Sequence, residues 1–199
     1  DDPQKPAIWQ QPVQVMQEQV QRMFRLVEDL LQLSKLESGE PVARDRVVSV
    51  SRLVEVARRE ALSLQGHPEQ IEVQLNSAVN LLGKETELRS VVSNLVTNAA
   101  RYTPAEGKVT ISWTVDEEGG HLAVTDTGIG MAEADIPRVT ERFYRADGGR
   151  ARQSGGTGLG LSIVKYALRR HDADLEIRSR LGHGSSFICH FPRDRLALS

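Results

Sequence analysis

Three short stretches hold residues whose types and spacing suit chemistry on a phosphate-bearing ligand. The first, GGTGLGLSIV from Gly155 to Val164, sets glycines at 156, 158 and 160 directly ahead of a helical pattern. Glycines there let the backbone come close to a ligand, and the start of a helix adds unpaired N–H groups and a positive dipole end. Together they describe an anion site, most economically one for phosphate. The run is not a P-loop, because no Lys-Ser/Thr pair follows its glycines. Nor is it a dinucleotide fingerprint, since it does not follow a strand within a βαβ unit. Standing alone, such a stretch reads more often as a tight turn.

The second stretch, DTGIGM at 126–131, ends a strand pattern. Asp126 is expected to be half-buried there, and a buried carboxylate needs donors, of which the exocyclic amine of a purine is one. Gly128 and Gly130 then let the chain turn around a flat ring; the competing reading is a strand-ending Asx turn. The third, NLVTNAARYT, places Asn94 and Asn98 at i and i+4 with Arg101 three residues further along the same helix face. Asparagine is disfavoured inside helices, so two on one face suggest a task. Two amide oxygens and a cation suit a magnesium–phosphate unit, because magnesium takes oxygen ligands and keeps water and substrate phosphates in its shell. The plain alternative is a pair of solvated or helix-bonding amides.

The elements that must position these residues are legible in outline. At 199 residues the chain is long enough for one good core plus an appendage, and 26% charged with 39% apolar residues is ordinary for a globular protein. A formal charge of −2 offers no broad basic surface for nucleic acid. The single cysteine, Cys189, cannot form an internal disulfide, which suits a reducing compartment, and reads as a small strand residue. No run approaches a membrane span and no signal peptide is visible, so a cytoplasmic fragment without membrane contact is expected. Because the chain opens on Asp1, it reads as a piece excised from something longer.

Residues 1–12, with three prolines, read as a linker. Over 13–40, Val13, Met16, Val20, Met23, Val27 and Leu30 form a heptad seam that Phe24, Leu26, Leu31 and Leu33 widen, until Gly39 and Pro41 end the helix. So broad an apolar face needs partner helices, from elsewhere in a longer chain or a second copy; packing on its own globular domain is the simpler option. From 46 to 194 the texture changes to strands alternating with amphipathic helices. Strands are expected at 47–50, 71–75, around 79–82, 108–115, 121–126, 175–179 and 185–191, and helices at 51–64, capped by Ser51, 85–101, 136–143 and 159–171. Residues 145–157 carry four glycines and no apolar periodicity and read as a mobile loop. The mixture implies an α/β sandwich, a sheet covered on one face by helices.

Taken in order, NLVTNAARYTP, DTGIGM, ERFYR and GGTGLGL resemble the asparagine, first-glycine, phenylalanine and second-glycine boxes of sensor histidine kinases, over roughly residues 13–192. The resemblance implies a Bergerat-type ATP-binding sandwich with a mixed sheet, preceded by the second helix of a dimerisation and phosphotransfer hairpin. It implies ATP and magnesium as cofactors. Asp126 would accept from the adenine amine, with Gly128 and Gly130 beside the ring and Tyr102 lining the pocket. Asn98 would bind magnesium with Asn94 beside it. Arg101, where the family more often has lysine, would face the phosphates. Gly156, Thr157, Gly158, Leu159 and Gly160 would wrap the triphosphate, Arg152 would reach the γ-phosphate from a lid, and Phe143 would anchor that lid. The implied partners are a response regulator, docking on the exposed face of helix 13–37, and the phosphoacceptor hairpin of a homodimeric parent anchored in the bacterial inner membrane.

One departure stands out. The family's phosphoacceptor histidine is followed by Glu or Asp and then Arg-Thr-Pro or similar, and none of His67, His121, His171, His183 or His190 has that context. Each reads as a surface or packing histidine, so the acceptor is expected on a hairpin outside this chain. Two other functions compete: an ATP hydrolase or clamp of the gyrase or mismatch-repair type, and a nucleotide-independent module that holds a partner helix. The hydrolases place glutamate, a general base, where this chain has Asn94, and an amide takes no proton at neutral pH. That residue favours transfer over hydrolysis, and three intact motifs argue against an empty module.

Overall fold

A computed structural model describes residues 5–37, 39, 42–44, 46–146 and 156–197. A five-stranded mixed sheet forms its frame. It runs β2 (Gln70–Leu75), β4 (Lys108–Val115), β5 (Gly119–Asp126), β7 (Gly184–Pro192), β6 (Asp174–Arg180), with β2 and β4 parallel and every other pair antiparallel. Alternation along β4 and β5 turns Val109, Ile111, Trp113, Leu122 and Val124 to one face, where they are buried. Helices α2 (Val50–Leu62), α3 (Glu85–Tyr102) and α4 (Gly160–Arg170) cover that face with Leu53, Leu88, Leu95, Ile163 and Leu168. The α/β sandwich expected from the sequence is the observed fold.

A smaller three-stranded sheet, β1 (Val47–Val48), β3 (Asn80–Leu82) and β8 (Leu196–Ala197), closes one end. Several element boundaries differ from the sequence reading. The first strand stops at Val48 because Ser49, not Ser51, caps α2: its hydroxyl accepts from the Arg52 N–H at 3.4 Å, while Asn80 accepts from the Val50 N–H. Residues 136–143 form successive turns rather than a helix. The backbone bonds there run mainly from one residue to the third before it, as from Arg138 to Asp135 and from Glu141 to Arg138. The strand pairing of Leu196 with Leu81 continues the fold past residue 194.

The long N-terminal helix α1 spans Lys5–Glu37, so residues 5–12, expected as a linker, are helical. Pro6 falls in the first turn, where proline is tolerated, and Pro12 lies inside the helix. Only the last turns of α1 dock, through buried Leu33 (1% exposed) and Leu36 (4%). The seam residues Val13, Met16, Val20, Met23, Val27 and Leu30 are all exposed, with Phe24 and Leu31 beside them. The globular domain therefore does not cover the stripe. Among the described residues no helix is long and apolar enough to cross a membrane.

Candidate functional site

The end of β5, the cavity-facing side of α3 and the start of α4 enclose a cavity of about 550 Å3. That is in the range of small-ligand sites, roughly 300–1,000 Å3. Asn94, Asn98, Arg101, Tyr102, Asp126, Gly130, Gly156, Thr157, Gly158 and Gly160 all line it. Residues distant in the sequence thus meet at one site.

Asp126 closes the deep end. It is 5% exposed, and its Oδ1 accepts the Gly128 N–H at 2.8 Å; the Ser185 N–H across the β5–β7 ladder adds a second donor. Burial pushes its carboxyl above the ordinary value, and these two N–H groups oppose the rise. The result is a desolvated acceptor supported by backbone N–H groups of its turn and of the neighbouring strand. Ile129 donates its N–H to the Tyr102 carbonyl at 3.1 Å, which ties the turn to the end of α3. Gly128 does not line the cavity: a Cβ on it would stand 2.2 Å from the Tyr102 carbonyl, so it serves close packing of turn against helix.

The other end is rich in side chains. Asn94 donates from Nδ2 to the Ser90 carbonyl (2.8 Å) and hydroxyl (3.2 Å), and its Oδ1 faces the start of α4. A Cβ on Gly160 would lie 2.6 Å from that Oδ1, so any larger residue there would push this amide aside. Burial first, then the nearby Arg25, pulls the Arg101 guanidinium below its ordinary value, with Asp29 opposing and Arg145 adding to the fall. Arg145 itself donates to the Gly156 carbonyl at 2.9 Å. Leu159 does not face the cavity; it is fully buried in the core at the cap position of α4, which no side chain caps.

Phe143 departs from its expected role in an informative way. Its ring is 56% exposed and does not line the cavity. Its backbone does the anchoring: Phe143 sits at φ 62° and donates its N–H to the Gly158 carbonyl at 2.9 Å, while Gly158 sits at φ 74°. Two left-handed residues back to back clamp the strap of residues 156–160 where it joins α4. Arg152 and most of the 145–157 loop lie outside the described residues.

Several lining residues carry no sequence signal of their own. Arg25 and Asp29 come from α1, and the Thr157 hydroxyl donates to Asp29 at 2.7 Å. As an oppositely charged pair at i and i+4 they read as ordinary helix-surface residues. The Tyr144 hydroxyl donates to Asp135 at 2.5 Å on the rim. Ser185 reaches Asp126 only through strand pairing.

Residues 83–195 match the family described as histidine kinase-, DNA gyrase B-, and HSP90-like ATPase. The chain belongs to this family. It is 49% identical over 190 residues to the phosphate regulon sensor protein PhoR of Pseudomonas aeruginosa, covering 95% of this chain and 43% of that protein. It is 38% identical over 180 residues to the sensor histidine kinase RppB of Synechocystis, covering 89% of this chain and 39% of that one. The chain therefore spans less than half the length of these relatives. Among solved structures, the Acinetobacter baumannii histidine kinase AdeS shares the fold, with a TM-score of 0.70 over 90% of this chain and 83% of that one at 24% identity. Within the family the close relatives are sensor histidine kinases, and the matched segment is the ATP-binding catalytic kind of domain.

Proposed function

We propose that this chain binds ATP with magnesium and transfers the γ-phosphate to a histidine on a hairpin helix outside it, from which a response regulator takes the phosphate. The observation that carries the reading is the convergence of Asp126, the Asn94–Asn98–Arg101 face and the strap 156–160 on one cavity. In this reading Asp126, a buried acceptor, pairs with the adenine amine, and Gly130 and Tyr102 flank the ring. The uncapped first turn of α4 offers N–H groups to phosphate oxygens, as Arg101 offers its guanidinium.

The metal reading fits the donors present. Asn94 has its amide nitrogen engaged with Ser90, which leaves its oxygen toward the cavity, and Asn98 is its neighbour there. No cluster of three or more His, Cys, Asp or Glu able to hold a metal occurs among the described residues. Such a donor set suits magnesium carried in on phosphate oxygens rather than a protein-only cage. When bound, the ion neutralises phosphate charge and aligns the terminal phosphate.

Asn94 supplies no base for water, so the residues here orient the nucleotide and leave deprotonation to the acceptor's own surroundings. Helix α1 (residues 13–37 in particular) is taken as the second hairpin helix, and its exposed apolar seam as the face that the first hairpin helix covers in a homodimer. Arg152 is assigned to the γ-phosphate on the family resemblance alone. The full protein is placed at the bacterial inner membrane, with this part on the cytoplasmic side.

Mixing the chain with radiolabelled ATP, magnesium and a separately supplied acceptor hairpin tests the proposal. Acid-labile phosphate is expected on the hairpin and on no histidine of this chain. Label on His171 or another of the five, with no hairpin present, refutes it.

A further inference from the structure

The cleft already holds an anion of the protein's own at the end assigned to phosphates. Asp29 of α1 accepts the Thr157 hydroxyl at 2.7 Å, within the electrostatic reach of Arg25 and Arg101. A hydroxyl has one proton to give, and Thr157 gives it to this carboxylate; the oxygen meanwhile accepts the Leu159 N–H at 3.3 Å. A phosphate oxygen seeks the same hydroxyl proton and the same guanidiniums that Asp29 faces.

Helix α1 holds Asp29 there by contacts in the two turns that follow it. Leu33 and Leu36 are buried in the common core, and Glu37 pairs with Arg142. Gln32 donates to the Ser90 hydroxyl at 2.7 Å, the group to which Asn94 is itself tied. The α1 contact thus reaches both the strap and the amide pair.

We propose that Asp29 is an internal competitor for the nucleotide's phosphates, so that docked α1 and a bound polyphosphate oppose one another. The proposal rests on the nucleotide-binding reading above. Linkage makes the opposition reciprocal: docked α1 weakens the binding of a phosphate-bearing ligand, and that ligand loosens α1 by the same factor. A ligand without phosphates makes no contact with Asp29, Thr157 or Arg101 and leaves α1 in place. Occupancy of the cleft is thereby converted into freedom of the helix that carries the exposed apolar seam.

The test titrates the full chain, Asp29→Asn and Asp29→Ala with ATP plus magnesium and, separately, with adenosine, and follows amide exchange over residues 24–37. Both variants are expected to bind ATP about tenfold tighter, within the usual span of coupling factors of roughly 5–150, with adenosine affinity unchanged. In the native chain, ATP but not adenosine is expected to speed exchange in the last turns of α1. Equal or weaker ATP binding by the variants overturns the proposal, weaker binding meaning that Asp29 helps to hold the ligand or its cation. Those outcomes leave native ATP binding intact, whereas loss of ATP and adenosine binding by every form removes the nucleotide reading and the competitor with it.

Discussion

The two ends of the cleft are built in different ways. At the end proposed for adenine, Asp126, the last residue of β5, is held by the Gly128 N–H of the turn that follows it and by the N–H of its ladder partner Ser185. At the end proposed for phosphate, Arg25 and Asp29 come from α1, Asn94 and Arg101 from α3, and Thr157 from the strap. Backbone pairing fixes the first, and side-chain contacts between separate elements fix the second. In the proposed reading, recognition of the ring is thus set by the sheet and the turn that ends it, and readiness for phosphate by how independent pieces are held together. Control of such a site is expected at the phosphate end.

The largest effect should come from breaking the fixed end. Asp126→Asn puts a donor where the purine amine needs an acceptor, at a cost to ATP binding of about 2–3 kcal/mol. Because the contact is to the ring, adenosine should lose as much as ATP by calorimetric titration; a loss confined to ATP would mean that Asp126 does not read the base. Against a native affinity expected in the micromolar range, roughly −6 to −8 kcal/mol, the variant should bind only weakly.

Gly158→Ala strikes the other end. At φ 74°, with the new Cβ 2.9 Å from the Phe143 Cα, the clamp must open or strain. Left-handed backbone costs a residue with a side chain about 1–2 kcal/mol. Urea unfolding should show a loss of this order, and ATP affinity should fall while adenosine affinity holds. An equal fall for both ligands would mean that the strap supports the whole cleft rather than its phosphate end.

The same contrast governs what could be read in the sequence. Helices α3 and α4 and the β4–β5 hairpin declare themselves through local periodicity, and Asn94, Asn98 and Arg101 share a face by helical spacing alone. Asp29 gives no such signal, because only the docking of α1 brings it to Thr157. Ser49 and Ser51 are equally good caps locally; the contact from Val50 to Asn80, thirty residues on, accompanies the choice of Ser49. The segment 136–143 looks amphipathic, yet its backbone bonds run mainly to the third residue before, as in successive turns. Leu159 sits among glycines that line the cleft, but its side chain belongs to the core.

A smaller effect is expected from asking the phosphate end for a different reaction. Asn94→Glu sets a carboxylate where the amide now faces the start of α4, able to orient and deprotonate water. General base catalysis is worth about 10²–10⁴-fold when well placed; for a grafted base we expect about tenfold faster ATP hydrolysis, since positioning carries much of the effect. The comparison is made at saturating nucleotide with Asn94→Gln as the size control. A glutamate variant no faster than the glutamine one, with ATP bound, removes position 94 as the ground for transfer over hydrolysis.

The smallest effect is a pH dependence that should fall on the phosphate end alone. His171, just beyond α4, is fully buried; its Nδ1 donates to the Ala167 carbonyl at 2.7 Å and its Nε2 accepts the Lys84 N–H at 3.2 Å. Burial holds its pKa below the ordinary 6.5, and a second proton on Nε2 would oppose the Lys84 N–H. A lowered folded value means that the unfolded chain binds the proton first, so stability is lost as pH falls below about 6.5. The unfolded value alone caps the loss from this group at about 0.8 kcal/mol at pH 6, growing by at most about 1.4 kcal/mol for each further unit. Since His171 joins the end of α4 to the start of α3, acid should loosen the helix whose other end meets the strap. Amide exchange at pH 6.0 and 7.5, corrected for intrinsic rates, should show lost protection in α4 and little change in the β5–β7 ladder. His171→Gln should flatten the difference, because an amide offers a donor and an acceptor without titrating. Equal loss in ladder and helix would show that the two ends of the cleft melt as one unit, and the contrast between them would then be one of construction only.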